Sequence, residues 1–231
     1  EKHLERLAKH AKRLRITLPE GFDQLIGQAI IDMDEKYDDN RLLNITFDCV
    51  EGVFLTKSRD LPKLRNCNLD SATIPMKKWL GQVTGTKHGD WQFYLDAKDL
   101  AEQNGVDIAL LIDDFCIIDG DRAAIVVIDE DGVAYSSENK QSVQGITLEV
   151  LADGFAEMGI PLNKAKLNER LVARSSEVIA LGTGIGCCKI LTIDGEEIGQ
   201  DSSTISSMLQ AYLAQHYSNP DNWTDLCEYS K

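Results

Sequence analysis

Hydrophobic residues recur every three or four positions through the first 33 residues, a spacing typical of amphipathic helices. One helix is predicted within residues 1–15, and a second begins at Pro19 and ends at Met33. Two short runs, Leu42–Asp48 and Val53–Lys57, flank a Glu-Gly turn and predict a β-hairpin. We expect both helices to pack on a sheet that includes this hairpin. No strand precedes the first helix, so we expect the chain to begin in the middle of an α+β unit.

Residues 58–86 contain several prolines, glycines and asparagines and are predicted to be an irregular link between two units. Beyond this link, the predicted helices are Trp91–Asn104, Thr147–Met158 and Ser203–His216. The predicted strands are Ile108–Ile112, Ala123–Ile128, Val133–Ser136, Val178–Leu181 and Cys187–Ile193. The first two of these strands are almost continuously apolar, which indicates burial on both faces. Thr147 is the predicted N-cap of its helix.

Composition and charge narrow the classes of function. The chain has 231 residues, of which 43% are hydrophobic and 27% charged, as in ordinary globular proteins. Its formal net charge of −14 makes nucleic acid and anionic membranes poor partners, because both carry phosphates. No apolar run reaches the ~18 residues of a membrane span. The six cysteines, at positions 49, 67, 116, 187, 188 and 227, form no CxxC motif, which favours reduced thiols and a cytoplasmic location.

Two segments have residues suited to binding an anion. The sequence GTGIG at 182–186 follows a predicted strand, and its backbone N–H groups and the Thr183 hydroxyl are suitable donors. A bulged hairpin without a ligand fits the same residues equally well. Gly145, Ile146 and Thr147 open a predicted helix, whose N-terminus attracts phosphate, although a threonine there is usually only a cap.

Two further residues are candidates for chemistry. Lys87 is a possible nucleophile if its surroundings lower its pKa, and it is otherwise a surface charge. Asp119 follows an apolar run, where a carboxylate needs a cationic partner, unless it is only the turn residue before Gly120. The four histidines lack metal-ligand spacing, and no GxSxG motif is present, so neither a metal site nor a serine hydrolase is predicted.

Seven motifs follow one another along the chain: HLERL (3–7), TKHGDW (86–91), NGVDIALLID (104–113), DGDRAAIVV (119–127), QGIT (144–147), GTGIG (182–186) and IDGEEIG (193–199). In this order they resemble the class IV pyridoxal-phosphate enzymes, the family of branched-chain and D-amino-acid aminotransferases and aminodeoxychorismate lyase. The resemblance implies an α/β (α+β) fold of type IV with two domains and pyridoxal 5′-phosphate bound in the cleft between them. The implied small domain is 1–75, N-terminally incomplete, followed by a linker at 76–86 and a larger domain with a barrel-like sheet at 87–231.

The resemblance also assigns roles to residues. Lys87 corresponds to the lysine that forms a Schiff base with the cofactor, and Asp119 to the carboxylate that faces the pyridine nitrogen. The residues implied to bind the cofactor phosphate are Arg6, Ile146, Thr147 and Thr183. One guanidinium, two hydroxyls and a helix N-terminus together suit a dianion.

The chain departs from the family pattern at several positions. Asp119 stands where the family has glutamate, and is one methylene shorter. Ala124, Leu148 and Lys189 replace the usual asparagine, arginine and proline of later motifs. The tyrosine that the aminotransferases place shortly after the lysine is missing, with Trp91 nearest. These changes indicate a divergent member of the family.

The function implied by the resemblance is transfer of an amino group between an amino acid and a 2-oxo acid. A lyase that resembles aminodeoxychorismate lyase is the alternative, favoured by the Lys87-His88 pair. A non-catalytic relative is a further alternative, to which the departures point. The resemblance also implies a small-molecule amino acid or amine as substrate and a homodimer as the assembly.

Overall fold

The computed structural model describes residues 1–33 and 41–226, so Cys227 lies outside the described residues. The helices are α1 (Lys2–Arg13), α2 (Phe22–Ile31), α3 (Gln92–Gln103), α4 (Ile146–Glu157), α5 (Glu169–Ala173) and α6 (Ile205–Ser218). The strands are β1 (Arg41–Asp48), β2 (Val53–Asp60), β3 (Leu69–Pro75), β4 (Ile108–Asp113), β5 (Cys116–Gly120), β6 (Ala124–Asp129), β7 (Ala134–Ser137), β8 (Leu162–Ala165), β9 (Leu167–Asn168), β10 (Ser175–Gly182), β11 (Gly186–Ile193) and β12 (Glu196–Glu197). Two single 3₁₀ turns span Gly81–Val83 and Pro220–Asn222.

The predicted hairpin is confirmed as a separate two-stranded sheet. β1 and β2 pair antiparallel along their whole length, from Arg41 opposite Asp60 to Asp48 opposite Val53. α2 covers one face of this sheet, where the Thr56 hydroxyl donates to the Ala29 carbonyl at 3.0 Å. The expectation that a helix packs on the hairpin is therefore confirmed for α2.

The larger sheet curls into a nearly closed barrel. Its strand order is β8-β7-β6-β10-β11-β3-β4-β5-β9, with β12 paired to β11. β8 and β9 lie at opposite ends of this order, yet only Lys166 separates them in the chain. The covalent chain therefore brings the two edges of the sheet together. Closing the sheet in this way leaves little unpaired strand edge exposed.

Apolar side chains fill the barrel and cover its outside. Successive residues of a strand point to opposite faces, and β10 follows this rule. Val178 and Ala180 join the interior cluster, whereas Ile179 and Leu181 pack under α4 and α6. α3 covers a third apolar cluster built on β3 and β4. The prediction that β4 and β6 are buried on both faces is confirmed.

One prediction about the chain's organisation is wrong. Residues 58–86 are not irregular throughout, because β3 lies within them as a central strand, parallel to both β11 and β4. The hydrophobic pattern did not predict β3 because several of its residues are polar. In the structure these residues have hydrogen-bond partners. Thr73 donates to Asp194 through its main-chain N–H and its hydroxyl, and Asp70 accepts from Thr192. The domain division at residue 75 stays a prediction, although β3 pairs with strands of the larger sheet.

A buried glutamate fixes the start of α6. Glu177 is fully buried in β10. Its carboxylate accepts from the Ser203 hydroxyl at 2.6 Å and from the main-chain N–H groups of Ile205 and Ser206 at 2.7 and 2.9 Å. These N–H groups lie in the first turn of α6, where no intrahelical partner exists.

We predict that Glu177→Ala lowers the free energy of unfolding by about 2–4 kcal/mol, because it leaves one buried and two half-buried donors unpaired. Urea denaturation followed by circular dichroism measures this loss. Glu197→Ala, at an exposed position of β12, should change the same quantity by less than about 0.5 kcal/mol. Equal effects of the two substitutions would contradict the capping role of Glu177.

Candidate active site

One face of α1 carries polar side chains toward segments that are distant in sequence. His3 and Arg6 share this face because residues three apart are neighbours on a helix. His3 Nε2 lies 3.2 Å from the Thr183 hydroxyl in the turn between β10 and β11. The Arg6 guanidinium donates to the main-chain carbonyl of Gln144, just before α4, at 3.2 Å. α1 therefore bridges two of the predicted anion-binding segments, rather than packing on the hairpin sheet as expected.

His10, a third residue on this face of α1, bonds to the segment that contains Lys87. Gly85 and Gly89 both have left-handed backbones, with φ of 65° and 87°, and they set the path of the chain on either side of Lys87. The main-chain N–H of Lys87 donates to His10 Nδ1 at 3.0 Å. The Lys87 amine lies 5.1 Å from the centre of the Trp91 ring, within the range of a cation–π contact.

The amine of Lys87 is activated by its surroundings. The residue is exposed overall, yet the protein around its amine displaces enough water to disfavour the charged form. This desolvation, with the positive charges of Arg6 and Arg59, lowers the pKa of Lys87 from 10.5 to about 8, against the opposing effect of Asp119. A substantial share of the amine is therefore neutral, and nucleophilic, near physiological pH.

Asp119 lies on β5, a strand that the sequence pattern did not predict. It is 4% exposed, and its two carboxylate oxygens accept from the main-chain N–H groups of Gly120 and Val143 at 3.1 and 2.9 Å. Burial outweighs these hydrogen bonds and the nearby charge of Lys87, and raises the pKa of Asp119 to about 7. The same carboxylate is close enough to raise the pKa of the buried Tyr94 hydroxyl, an effect that adds to that of burial.

The prediction that Thr147 caps its helix is wrong. α4 begins at Ile146, and Gly145 takes the N-cap position with an extended backbone. Thr147 is thus the second helical residue, and it is buried. No side chain caps α4, so its first N–H groups remain available to a negatively charged ligand. Gly145 also packs closely on Ala124, since a Cβ added to it would lie 3.1 Å from the Cβ of that residue.

Hydrogen bonds with Arg65 and Asn66 fix the turn that contains Thr183. The predicted strands on either side of the glycine-rich segment are confirmed as β10 and β11. The Arg65 guanidinium donates to the carbonyls of Thr183 and Gly184 at 2.7 and 3.0 Å. The Asn66 side chain accepts from the main-chain N–H of Cys187 at 2.9 Å. With its carbonyls fixed in this way, the turn keeps the exposed Thr183 hydroxyl near α1.

Electrostatic influence links three of the predicted site residues, Lys87, Arg6 and Asp119. Thr183 contacts α1 through His3, and Ile146 and Thr147 follow Gln144, whose carbonyl accepts from Arg6. Their roles toward a cofactor stay predictions. Sequence reasoning missed His3, His10 and Arg59. The first two could have been found, because they share one helical face with Arg6, whereas nothing in the sequence places Arg59 near Lys87.

Within residues 1–33 and 41–226, no helix combines the length and apolar character that crossing a membrane requires. The same part of the chain contains no group of three His, Cys, Asp or Glu side chains arranged to hold a metal ion.

A family model described as amino-transferase class IV matches residues 1–193. No curated protein matches the chain. A branched-chain aminotransferase from Thermoproteus uzoniensis has a similar structure, with a TM-score of 0.78, 17% identity, and coverage of 96% of this chain and 80% of that one. A protein assigned as a 4-amino-4-deoxychorismate lyase, from Legionella pneumophila, has a TM-score of 0.76, 18% identity, and coverage of 93% and 84%. At these identities the likeness concerns the fold, and the predicted fold class is confirmed.

We predict that Asp119 makes stability depend on pH. The unfolded carboxyl loses its proton near its ordinary pKa of 3.8 and the folded one near 7, so between these values the folded state binds more protons. The free energy of unfolding of the wild type should therefore fall, relative to that of Asp119→Asn, as the pH rises through this window. Urea unfolding at about pH 4.5 and about pH 7.5 measures the difference.

The exposed Asp99 on α3 provides the control. Asp99→Asn should show no such divergence from the wild type. If Asp119→Asn and the wild type kept a constant difference in stability across this window, the raised pKa of Asp119 would be wrong.

Proposed function

Because the chain belongs to the class IV aminotransferase family, we propose that it is a pyridoxal-phosphate-dependent aminotransferase. It would transfer an amino group between an amino acid and a 2-oxo acid. The observation that carries this proposal is the Lys87 amine, whose pKa of about 8 arises in a cleft that also contains a buried carboxyl, Asp119, and a guanidinium, Arg6. The family resemblance read from the sequence is confirmed by the match over residues 1–193.

The donor set fits the phosphate of this cofactor. The Arg6 guanidinium has five N–H donors, and its one hydrogen bond to the carbonyl of Gln144 leaves others free for an anion. The uncapped start of α4 offers backbone N–H groups at Ile146 and Thr147, and the Thr183 hydroxyl lies against the same face of α1 that contacts Gln144. The positive charge of Arg6 also lowers the pKa of Lys87, so this end of the cleft favours a dianion.

Two side chains would perform the proton chemistry. When bound, pyridoxal phosphate supplies an aldehyde that combines with amines and a ring that accepts electrons from the substrate. Lys87 would hold the cofactor through its Nζ and, once released by the substrate amine, would take the α-proton at Nζ and return it. Asp119 would hold a proton on the pyridine nitrogen. Its side chain is one methylene shorter than glutamate, so this contact requires a shift of ~1.5 Å or one bridging water.

Arg59 is the residue that we expect to contact the substrate. It lies on β2, and its charge reaches the Lys87 amine from the hairpin sheet, whereas that of Arg6 reaches it from α1. A guanidinium beside the reacting amine suits the carboxylate that every amino acid and 2-oxo acid carries. We propose that Arg59 orients this carboxylate.

A lyase remains the second candidate because of the residue after the lysine. His88 lies between aromatic rings, 4.5 Å from the centre of Trp79 and 6.0 Å from that of Trp91. Release of pyruvate from aminodeoxychorismate without added 2-oxo acid would identify a lyase, and exchange of amino groups between an amino acid and a 2-oxo acid would identify an aminotransferase.

We further propose that the protein is a cytoplasmic homodimer. The five free cysteines in the described part of the chain support the cytoplasmic location, and exposed apolar residues such as Leu55 support the dimer.

We predict that the protein purified with pyridoxal phosphate is yellow and that borohydride fixes the cofactor covalently on Lys87. Lys87→Ala should lose both the visible absorbance and turnover, because it removes the amine that is proposed to hold the cofactor. Addition of individual amino acids should shift the absorbance of the wild type as the amino group is transferred. Mass spectrometry of the reduced protein identifies the labelled residue, and a label on Lys77 or Lys78 would contradict the assignment.

We predict that Arg6→Ala weakens cofactor affinity by about 1.5–3 kcal/mol, the range for hydrogen bonds to charged groups. Equilibrium dialysis or titration of the visible absorbance measures the change. Lys12→Ala removes an equal charge from an exposed position of α1 and should leave the affinity within about 0.5 kcal/mol of the wild type. Equal losses in the two variants would show that Arg6 acts only through the net charge of the helix.

A further inference from the structure

His10 has an unusual position for a histidine on a charged helix. It and Ala11 are the only buried residues of α1. His10 is 7% exposed, and its Nδ1 accepts the main-chain N–H of Lys87 at 3.0 Å. This bond requires the tautomer with the proton on Nε2, because a protonated Nδ1 cannot accept.

The main-chain N–H of Lys87 bonds differently from those of the short turns on either side of it. Lys87 and His88 belong to no helix or strand. Neighbouring turns are closed by the main-chain N–H of Thr86 to the carbonyl of Val83 at 3.0 Å and by that of Trp91 to Gly89 at 2.9 Å. The Lys87 N–H instead bonds to a side chain 77 residues away.

We propose that His10 is a positioning residue, which fixes the main chain of Lys87 and so holds its amine at the cleft wall. This inference rests on the proposed role of Lys87. α1 carries Arg6 four residues before His10, so one helix sets the positions of both the Lys87 segment and the Arg6 guanidinium. A lysine on an irregular segment would otherwise adopt many orientations, at a cost when it must be ordered for reaction.

The charges around His10 keep it in the accepting form. Burial, with the positive charges of Arg6, Lys9 and Arg13 on α1 and of Lys87 on the opposite segment, lowers the pKa of His10 to about 4. The hydrogen bond therefore persists through the neutral pH range. Replacing His10 by an uncharged residue consequently changes the geometry without changing the charge of the site.

The groups that act on the Lys87 amine come from three elements: Arg6 on α1, Arg59 on β2 and Asp119 on β5. His10 is not one of them, so its replacement removes none of these charges. If the bond is lost and the lysine moves into water, the desolvation that lowers its pKa decreases, and the pKa rises toward 10.5.

The test measures the reactivity of the Lys87 amine in the protein without cofactor. The full chain is methylated briefly with formaldehyde and cyanoborohydride over a range of pH, and mass spectrometry gives the labelling rate of Lys87 relative to that of other lysines. His10→Asn keeps an acceptor, because the amide oxygen occupies the place of Nδ1. His10→Leu fills similar space without an acceptor. We expect wild-type labelling in His10→Asn and roughly three- to tenfold slower labelling near pH 7.5 in His10→Leu, as for an amine pKa that rises by about half to one unit.

Two further variants keep the result decisive. His216→Leu removes a histidine from α6, where it contacts Asn222 and Tyr217 outside the site, and Lys87 should be labelled at the wild-type rate. If His10→Leu does not fold, His10→Phe replaces it, because its ring occupies the space of the imidazole and has no acceptor. Equal labelling of Lys87 in His10→Asn and the variant without an acceptor, or an equal loss in His216→Leu, would overturn the proposal.

Addition of pyridoxal phosphate separates this inference from the proposed function. If the labelling pattern holds but no variant, nor the wild type, forms a borohydride-stable adduct at Lys87, His10 positions the lysine and the enzymatic proposal fails. If the wild type forms the adduct and His10→Leu forms it with the same pH dependence and rate, the enzymatic proposal stands and the role of His10 fails.

Discussion

The hydrogen bonds from one face of α1 hold together parts of the cleft that the chain leaves far apart. His3, Arg6 and His10 reach residues that are 180, 138 and 77 positions away, in the β10–β11 turn, at the start of α4 and in the lysine segment. None of these three segments is fixed relative to the others by a strand pairing of its own. The geometry of the site therefore depends on the position of a single helix, which side-chain contacts determine as much as apolar burial does.

The cleft is positively charged although the chain is strongly acidic. The formal net charge is −14, yet Arg6, Arg59 and Lys87 influence one another there, and the two histidines of α1 have lowered pKa values partly because of Arg6. Concentrating positive charge in one place raises the local affinity for small anions, while the acidic remainder repels polyanions such as nucleic acid. A small, doubly charged phosphate ester is the kind of ligand that satisfies both conditions.

The hydrophobic pattern predicted the strands that are apolar on both faces, such as β4 and β6. It did not predict β3 and β5, which contain polar residues. β3 contains the polar residues Asp70 and Thr73, whose partners are Thr192 on β11 and Asp194 just after it, 122 and 121 residues further along the chain. β5 ends in a buried carboxylate, which a single-residue pattern assigns to a turn. The ordered motifs identified Lys87 and Arg6, but not Arg59, because its proximity to the amine depends on how the hairpin sheet lies against the cleft.

The substitution of aspartate for glutamate at position 119 has a physical consequence that the motif alone does not reveal. Both oxygens already accept main-chain N–H groups, and burial still raises the pKa to about 7, so the ionised form is poorly compensated in the protein alone. A cationic group placed against Asp119 would lower this pKa, because an opposite charge in a water-poor site stabilises the carboxylate. A protonated pyridine nitrogen is such a group, and the two would then favour each other's charged forms. If Asp119 serves the ring nitrogen as proposed, its shorter side chain, which two main-chain N–H groups already constrain, therefore requires the ring or one water to come to it.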